Sequence, residues 1–245
     1  MTDERILAIV GPTATGKTSV AVRVAQHLEA EVISADSMAV YRGADIGTAK
    51  PTPEQRDLVR FHLIDVVDPG EAFNVAEVRR LALAAVAEIA RRGHRAMVVG
   101  GTGLYVRALL DGFGLTGVPA NAEMRRMLSA RAAANGAPAL HAELSIVDPI
   151  TAARLHPNDA VRIIRALEVY RMTGRPLSEW LEQDVAARRE IPALRIGLTM
   201  DRKELDRRID VRVDTMIADG LVGEVESLRR SLGSCSGGIM NGLGY

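Results

Sequence analysis

The residues Gly11-Pro12-Thr13-Ala14-Thr15-Gly16-Lys17-Thr18 constrain this chain more than any other stretch. They carry the spacing of a phosphate-binding loop, and the flanks agree with it. Ile6-Leu7-Ala8-Ile9-Val10 ahead of them has the length of a buried strand, and Ser19 to Leu28 behind them repeats apolar residues at helical spacing. The glycines let successive N–H groups face one anion at the positive end of the following helix. Lys17 adds a full charge, and the Thr18 hydroxyl is placed to ligate a magnesium ion. A chance glycine-rich turn is the alternative, and it leaves the strand and the helix unexplained. The loop does not say which bond of a bound polyphosphate is broken.

At 245 residues with 47% apolar side chains the chain has material for a full core, read as one main domain carrying an insertion. Met1-Thr2-Asp3-Glu4-Arg5 is charged and the apolar run after it is only five residues long, too short for a signal peptide or a membrane span. A cytoplasmic protein without membrane contact is therefore expected. The lone Cys235 has no internal disulfide partner, and the five histidines lack paired ligand spacing, which speaks against structural zinc. Basic and acidic residues balance at 31 each, so only a local patch can provide a nucleic-acid surface. Aromatic residues, at 3%, are too few for an open platform that stacks several bases.

Along the chain, Glu31 to Ala35 reads as a second strand with Asp36 and Ser37 at its carboxyl end, the edge where open α/β sheets bind ligands. Asp36 either shares a crevice with the phosphate loop or serves as a turn or capping residue. Val40 to Pro51 is rich in turn formers and reads as a loop. His62 to Val67 predicts a third strand, and Val75 to Arg92 a long amphipathic helix stopped by Gly93. Arg95 to Val99 is the next strand. It runs into Gly100-Gly101-Thr102-Gly103-Leu104-Tyr105, where Thr102 either bonds a phosphate or base or caps the helix that follows.

The pattern loosens from Leu110 to Val118, and Pro119 marks a boundary. Helices are predicted over Ala122 to Ala134, Ala137 to Ser145, Pro149 to Leu155 and Asp159 to Thr173, with Asp148-Pro149 and Asn158-Asp159 as start signals. This part is arginine-rich: Arg125, Arg126, Arg131, Arg154, Arg162, Arg165, Arg171 and Arg175 face five acids, which fits a weak basic patch or a solvated helix surface equally. Leu194 to Thr199 returns to strand character, followed by helices over Arg202 to Ala218 and Leu221 to Leu232. Arg208 and Arg212 point one way, toward a ligand or toward Asp201, Asp206, Asp210 and Asp214. The expected fold is α/β, a P-loop NTPase-like parallel sheet flanked by helices, built from 1–115 and 196–245, with a helical insertion domain over 116–195.

These residues, taken together, resemble the tRNA dimethylallyltransferases, also called tRNA isopentenyltransferases. Gly11 to Thr18 matches that family's loop with Thr15 in place of serine. Asp36-Ser37, Val40-Tyr41-Arg42-Gly43 and Asp45-Ile46-Gly47-Thr48-Ala49-Lys50-Pro51 resemble its most distinctive signature. Val99 to Tyr105, His156-Pro157-Asn158-Asp159 with Arg162, Arg165 to Val169, Arg208-Ile209 with Arg212, and Gly220-Leu221 with Glu224-Val225 are similar to further blocks, in order from Ile6 to Tyr245.

The resemblance implies transfer of a dimethylallyl group from its diphosphate to the exocyclic amine of the adenine 3′ of the anticodon in tRNA, with Mg2+ as cofactor. It implies Asp36 as proton acceptor, with Lys17 and Thr102 as the other catalytic residues. Gly11, Pro12, Thr13, Ala14, Thr15, Gly16, Lys17 and Thr18 would hold the diphosphate, joined by Arg208 or Arg212. Asp36, Ser37, Met38, Ala39, Thr102, Arg125, Val161, Arg162, Ile163, Ile164 and Arg165 would meet tRNA, and Thr18 the metal. A monomer is expected.

Family members usually continue past the pair seen here as Gly244-Tyr245 into a basic helix, so a C-terminally truncated chain is expected, and Ser234-Cys235-Ser236-Gly237-Gly238 is less helical than the family pattern. Three competing readings stand beside this one. A small-metabolite kinase explains the loop but not the signature after Asp36, an adenylate isopentenyltransferase does not need the arginine-bearing insert, and a nucleotide-gated binding module needs no catalytic base.

Overall fold

The apolar run Ile6–Val10 forms β1, and its unbroken hydrophobicity follows from burial on both faces. The computed structural model describes residues 5–112, 117–187, 190–233, 238–242 and 244–245. Two units divide it: Met1–Gly112 with Glu190–Tyr245, and Phe113–Arg189.

In the first unit, β1 leads through the phosphate loop into α1 (Lys17–Leu28), then β2 (Ala30–Ser34), α2 (Pro53–Leu58), β3 (Phe61–His62), α3 (Val75–Arg91), β4 (Arg95–Gly100) and α4 (Gly103–Leu110). The described strands pair in parallel in the order β3-β2-β4-β1-β5, where β5 is Ala193–Gly197. Side chains alternate across this sheet with the period of two that strands impose. Ile6, Ala8, Ile33 and Val98 face Val78, Ala82 and Ile89 of α3 and Val106 and Leu109 of α4. Ile9, Val32, Met97 and Val99 face Ala21, Val22 and Ala25 of α1 on the other side. Each fully buried large side chain contributes about 1.5–3 kcal/mol, so helices cover both faces of a parallel sheet as β1 requires.

The register aligns Ser34 with Val99 and Val10 with Gly100, which brings the carboxyl ends of β1, β2 and β4 to one edge. β5 begins at Ala193, inside the range 116–195 expected for the insertion, because Ile6 to Val10 pair with Ala193 to Gly197. After β5 come α10 (Arg202–Ala218), capped by Asp201, and α11 (Leu221–Leu232).

The third strand predicted over His62 to Val67 is only Phe61–His62. Leu63 and Asp65 take left-handed φ values of 60° and 57°, which a strand cannot contain, and Asp65 is held by Lys50 and Arg56. Val67 bridges instead to Tyr41. The short α2 is an unpredicted helix, although Thr52 and Gln55 form a capping box around it with Pro53 in its first turn. Ser234 to Gly237, Cys235 included, lie outside the described residues. No helix among those described is long and apolar enough to cross a membrane.

The second unit is helical: α5 (Ala122–Asn135), α6 (Ala137–Val147), α7 (Pro149–Arg154), α8 (Ala160–Thr173) and α9 (Leu177–Ala187). Leu128, Leu140, Leu144, Ile163 and Leu167 form its core. Asp148, 1% exposed, starts α7 by accepting the Thr151 N–H at 3.0 Å and also takes the Ser178 N–H at 3.0 Å in the first turn of α9, a helix the apolar spacing left unpredicted.

Candidate active site

The loop after β1 is built by backbone conformations that ordinary residues resist. Gly16 sits at φ 83° ahead of α1, and Gly11 at φ 155° has no room for a side chain, since a Cβ would lie 2.5 Å from the Leu198 carbonyl oxygen. Thr15, buried, closes the turn with its hydroxyl on the Pro12 carbonyl at 2.8 Å. Lys17 Nζ donates to the carbonyls of Gly11 (2.9 Å) and Pro12 (2.6 Å). Burial pushes the Lys17 ammonium below its ordinary value and Arg212 adds to that, while Asp36 works against both.

Asp36 fulfils both of its sequence readings. Its Oδ1 accepts the N–H groups of Met38 at 2.8 Å and Ala39 at 3.3 Å, the geometry of an Asx turn. That leaves Oδ2 without a donor among the described residues, and the carboxylate lines one cavity of about 660 Å³ with Thr13, Lys17, Thr18, Thr48, Arg208 and Arg212. Thr102 does not cap α4 with its side chain. Its Oγ1 accepts the Ser37 N–H at 3.1 Å and donates to Ser37 Oγ at 3.4 Å, tying the end of β4 to the end of β2. Gly100 permits that closeness, because a Cβ there would meet the Ala35 carbonyl oxygen at 2.2 Å.

The two arginines of α10 separate. Arg212 reaches the phosphate loop, Nη1 to Thr13 Oγ1 at 3.1 Å, and burial foremost lowers its affinity for a proton. Arg208 lines the same cavity while its Nε donates to Glu204 at 2.8 Å, a partner on its own helix that was not among the four aspartates expected.

In the helical unit, Arg125 and Arg165 converge on Glu168, whose side chain is fully buried; it accepts Arg125 Nε at 2.9 Å, Arg165 Nη1 at 2.6 Å and the Asn121 N–H at 2.6 Å. Arg162 pairs with Asp159 on the surface and Val161 is 80% exposed. Ile163 is buried in the core of α5 to α8, so its side chain offers no surface to a macromolecule, contrary to the expectation for it. Arg125, Arg154, Arg162 and Arg165 rim a cavity of about 550 Å³ over Leu155, Ile164 and Leu181.

Three organising side chains stand in the motif blocks without a role that the sequence assigns. Glu168 and Arg165 are the two charges in the run Ile163 to Val169, and their spacing of three on one helix is the local signal for Glu168. Lys50, buried, joins the Tyr41 carbonyl, Asp45 and Asp65. Glu224 binds three backbone N–H groups of a loop far away in sequence, for which no spacing rule exists.

A parallel sheet with this loop between β1 and α1, and cations converging on it from α10, defines a phosphate-loop α/β protein with an acid placed beside the phosphate site. The chain belongs to the IPP transferase family, whose model matches residues 39–245. It is 50% identical to tRNA dimethylallyltransferase 2 of Geotalea uraniireducens over 98% of this chain and 77% of that one. With tRNA dimethylallyltransferase of Geobacillus kaustophilus the identity is 46% over 99% and 76%. Among solved structures, the full-length tRNA isopentenylpyrophosphate transferase of Bacillus halodurans superposes with TM-score 0.65 at 44% identity, covering 99% of this chain and 75% of that one. A eukaryotic dimethylallyltransferase acting on tRNA gives TM-score 0.81 at 27% identity, covering 98% and 61%.

Proposed function

We propose that this enzyme transfers a dimethylallyl group from dimethylallyl diphosphate to the exocyclic amine of the tRNA adenine on the 3′ side of the anticodon, releasing diphosphate. The observation that carries the reading is Asp36, a carboxylate with one oxygen unengaged, in the same cavity as Lys17 and Thr18. The allylic C–O bond breaks with its electron pair going to the diphosphate oxygen, and the amine nitrogen forms the new C–N bond. An aromatic amine has a delocalised lone pair and sheds its proton only as that bond forms; Asp36 Oδ2 accepts it, an effect of about 10²- to 10⁴-fold.

The loop N–H groups, Lys17 and Arg212 stabilise the charge that grows on the leaving group. Thr18 is the residue that would hold Mg2+, which supplies further charge neutralisation on the diphosphate. Thr102 acts through Ser37, fixing the acceptor side of the cavity. Arg125, Arg162 and Arg165 give the helical unit a cationic rim for the tRNA backbone, and the adenine leaves the anticodon-loop stack to react. The enzyme works as a cytoplasmic monomer in this reading.

The test supplies purified chain with unmodified tRNA and labelled dimethylallyl diphosphate, and in a parallel reaction with labelled ATP. Label entering tRNA, and falling at least a hundredfold in Asp36→Ala, supports the reading. ATP consumed with a small acceptor while tRNA stays unlabelled overturns it.

A further inference from the structure

Glu224 lies on α11, outside the lining of the phosphate-loop cavity, yet it holds one wall of that cavity in place. Its Oε2 accepts the N–H groups of Asp45 at 2.7 Å and Ile46 at 2.8 Å, and its Oε1 those of Gly47 at 3.1 Å and the Tyr245 hydroxyl at 2.6 Å. Three successive amides turned to one side make a nest for an anion. Here the anion is the protein's own carboxylate. Tyr245 fills the space beside it so closely that a Cβ on Gly47 would lie 2.5 Å from the hydroxyl oxygen.

The next two residues of that loop, Thr48 and Ala49, line the cavity with Lys17, Thr18 and Asp36. Beyond them Lys50 is tied to Tyr41, Asp45 and Asp65. Ala49, between the two ties, holds a left-handed φ of 47°, a conformation a non-glycine residue keeps only when its surroundings impose it. Burial pushes the Glu224 carboxyl up, and its four donors hold it below its ordinary value all the same, so it is an anion whenever the enzyme works.

We propose that Glu224 is a positioning residue for allyl transfer: by clamping residues 45–47 it sets the wall made by Thr48 and Ala49, and with it the approach of the attacking amine to the allylic carbon. This rests on the transfer reaction proposed above. Reacting atoms misplaced by about 1 Å lose about a hundredfold in rate without any loss of ground-state binding.

The experiment compares Glu224→Gln, Glu224→Asp and Gly47→Ala in the full chain. Glutamine keeps the size but offers one accepting oxygen and turns an NH2 on the remaining donors. Expected for it are faster hydrogen exchange at the amides of 45–47, kcat down tenfold or more at saturating substrates, and a Kd for inorganic pyrophosphate within twofold of wild type. Glu224→Asp keeps the charge and recovers part of kcat, and Gly47→Ala, which reaches the loop from the Tyr245 side, repeats the kcat loss at unchanged pyrophosphate affinity. A kcat within twofold of wild type in Glu224→Gln, despite faster exchange, overturns the proposal. So does a loss of activity that follows only the loss of folded protein in a melting curve. A wild-type chain that transfers no allyl group overturns the reaction itself, and that result appears before any variant is made.

Discussion

Replacing Glu168 by glutamine removes one charge from the middle of the helical unit and leaves two arginines facing an amide. The carboxylate is 0% exposed and accepts four hydrogen bonds, two from Arg125, one from Arg165 and one from the Asn121 N–H. Breaking a buried pair costs about 3–5 kcal/mol. Arg125 and Arg165 remain 46% and 28% exposed, so water solvates part of what they lose, and the lower end applies. Trp180, the single tryptophan, sits on α9 with its indole N–H on Thr173 Oγ1 at 3.3 Å, so its fluorescence reports on this unit. With a urea slope of about 1 kcal/mol/M for a unit of this size, Glu168→Gln lowers the midpoint by about 3 M. A midpoint within about 0.5 M of wild type at unchanged slope would refute the assignment of Glu168 as the anchor of both arginines. The triple replacement of Arg125 and Arg165 by methionine and Glu168 by leucine is expected to recover most of the loss, since apolar residues of similar volume substitute well for buried ion clusters.

The arginines of α10 are expected to differ. Arg212→Ala weakens pyrophosphate binding about tenfold or more, as loss of a charge-assisted contact to the loop requires, whereas Arg208→Ala, already paired with Glu204, changes it less than threefold; titration calorimetry separates them. Glu31, 4% exposed among Arg92, His62 and His94, has its carboxyl held down to about 2, by the Arg92 hydrogen bonds foremost. Its folded value lies below the ordinary 4.5, so its stabilisation is present above pH 4.5 and lost as pH falls toward 2; Glu31→Gln flattens that acid limb in melting curves. Gly100→Ala forces a Cβ within 2.2 Å of backbone oxygen, with no flexible atom to yield. At about 3 kcal/mol the melting temperature falls by about 6–12 °C.

What could be read from sequence divides by the range of the interaction. The phosphate loop, α3, α10 and α11 are periodic or locally signalled, and the structure places them within a residue or two of their expected bounds. Asp36 was legible as a strand-end residue because one strand and one motif define that edge. The early stop of β3 was not, since it depends on Lys50 and Arg56 drawing Asp65 into a left-handed turn. Thr102 left two roles open, a ligand contact or a helix cap; its side chain does not cap α4 and instead holds Ser37, a partner that only the β2–β4 register brings near. Arg165, three residues before Glu168, is a local partner, but Asn121 and Arg125 for Glu168 and the amides of 45–47 for Glu224 lie far away in sequence, so the motif blocks that contain these acids did not announce those contacts.

The position of β1 inside the sheet has a consequence for how the chain is made. Its first partner, β4, is complete at Gly100, but its second, β5, ends only at Gly197, after the entire helical unit has been synthesised. At about 5–20 residues per second the outer edge of Ile6–Val10 waits about 5–20 seconds for that strand. Through this interval a wholly apolar strand presents unpaired N–H and C=O groups with no charge or proline to guard them. The helical unit, whose contacts are local, folds during the same wait. The interval between emergence of residues 100 and 197 is therefore the one in which the nascent chain is most exposed to edge-to-edge pairing.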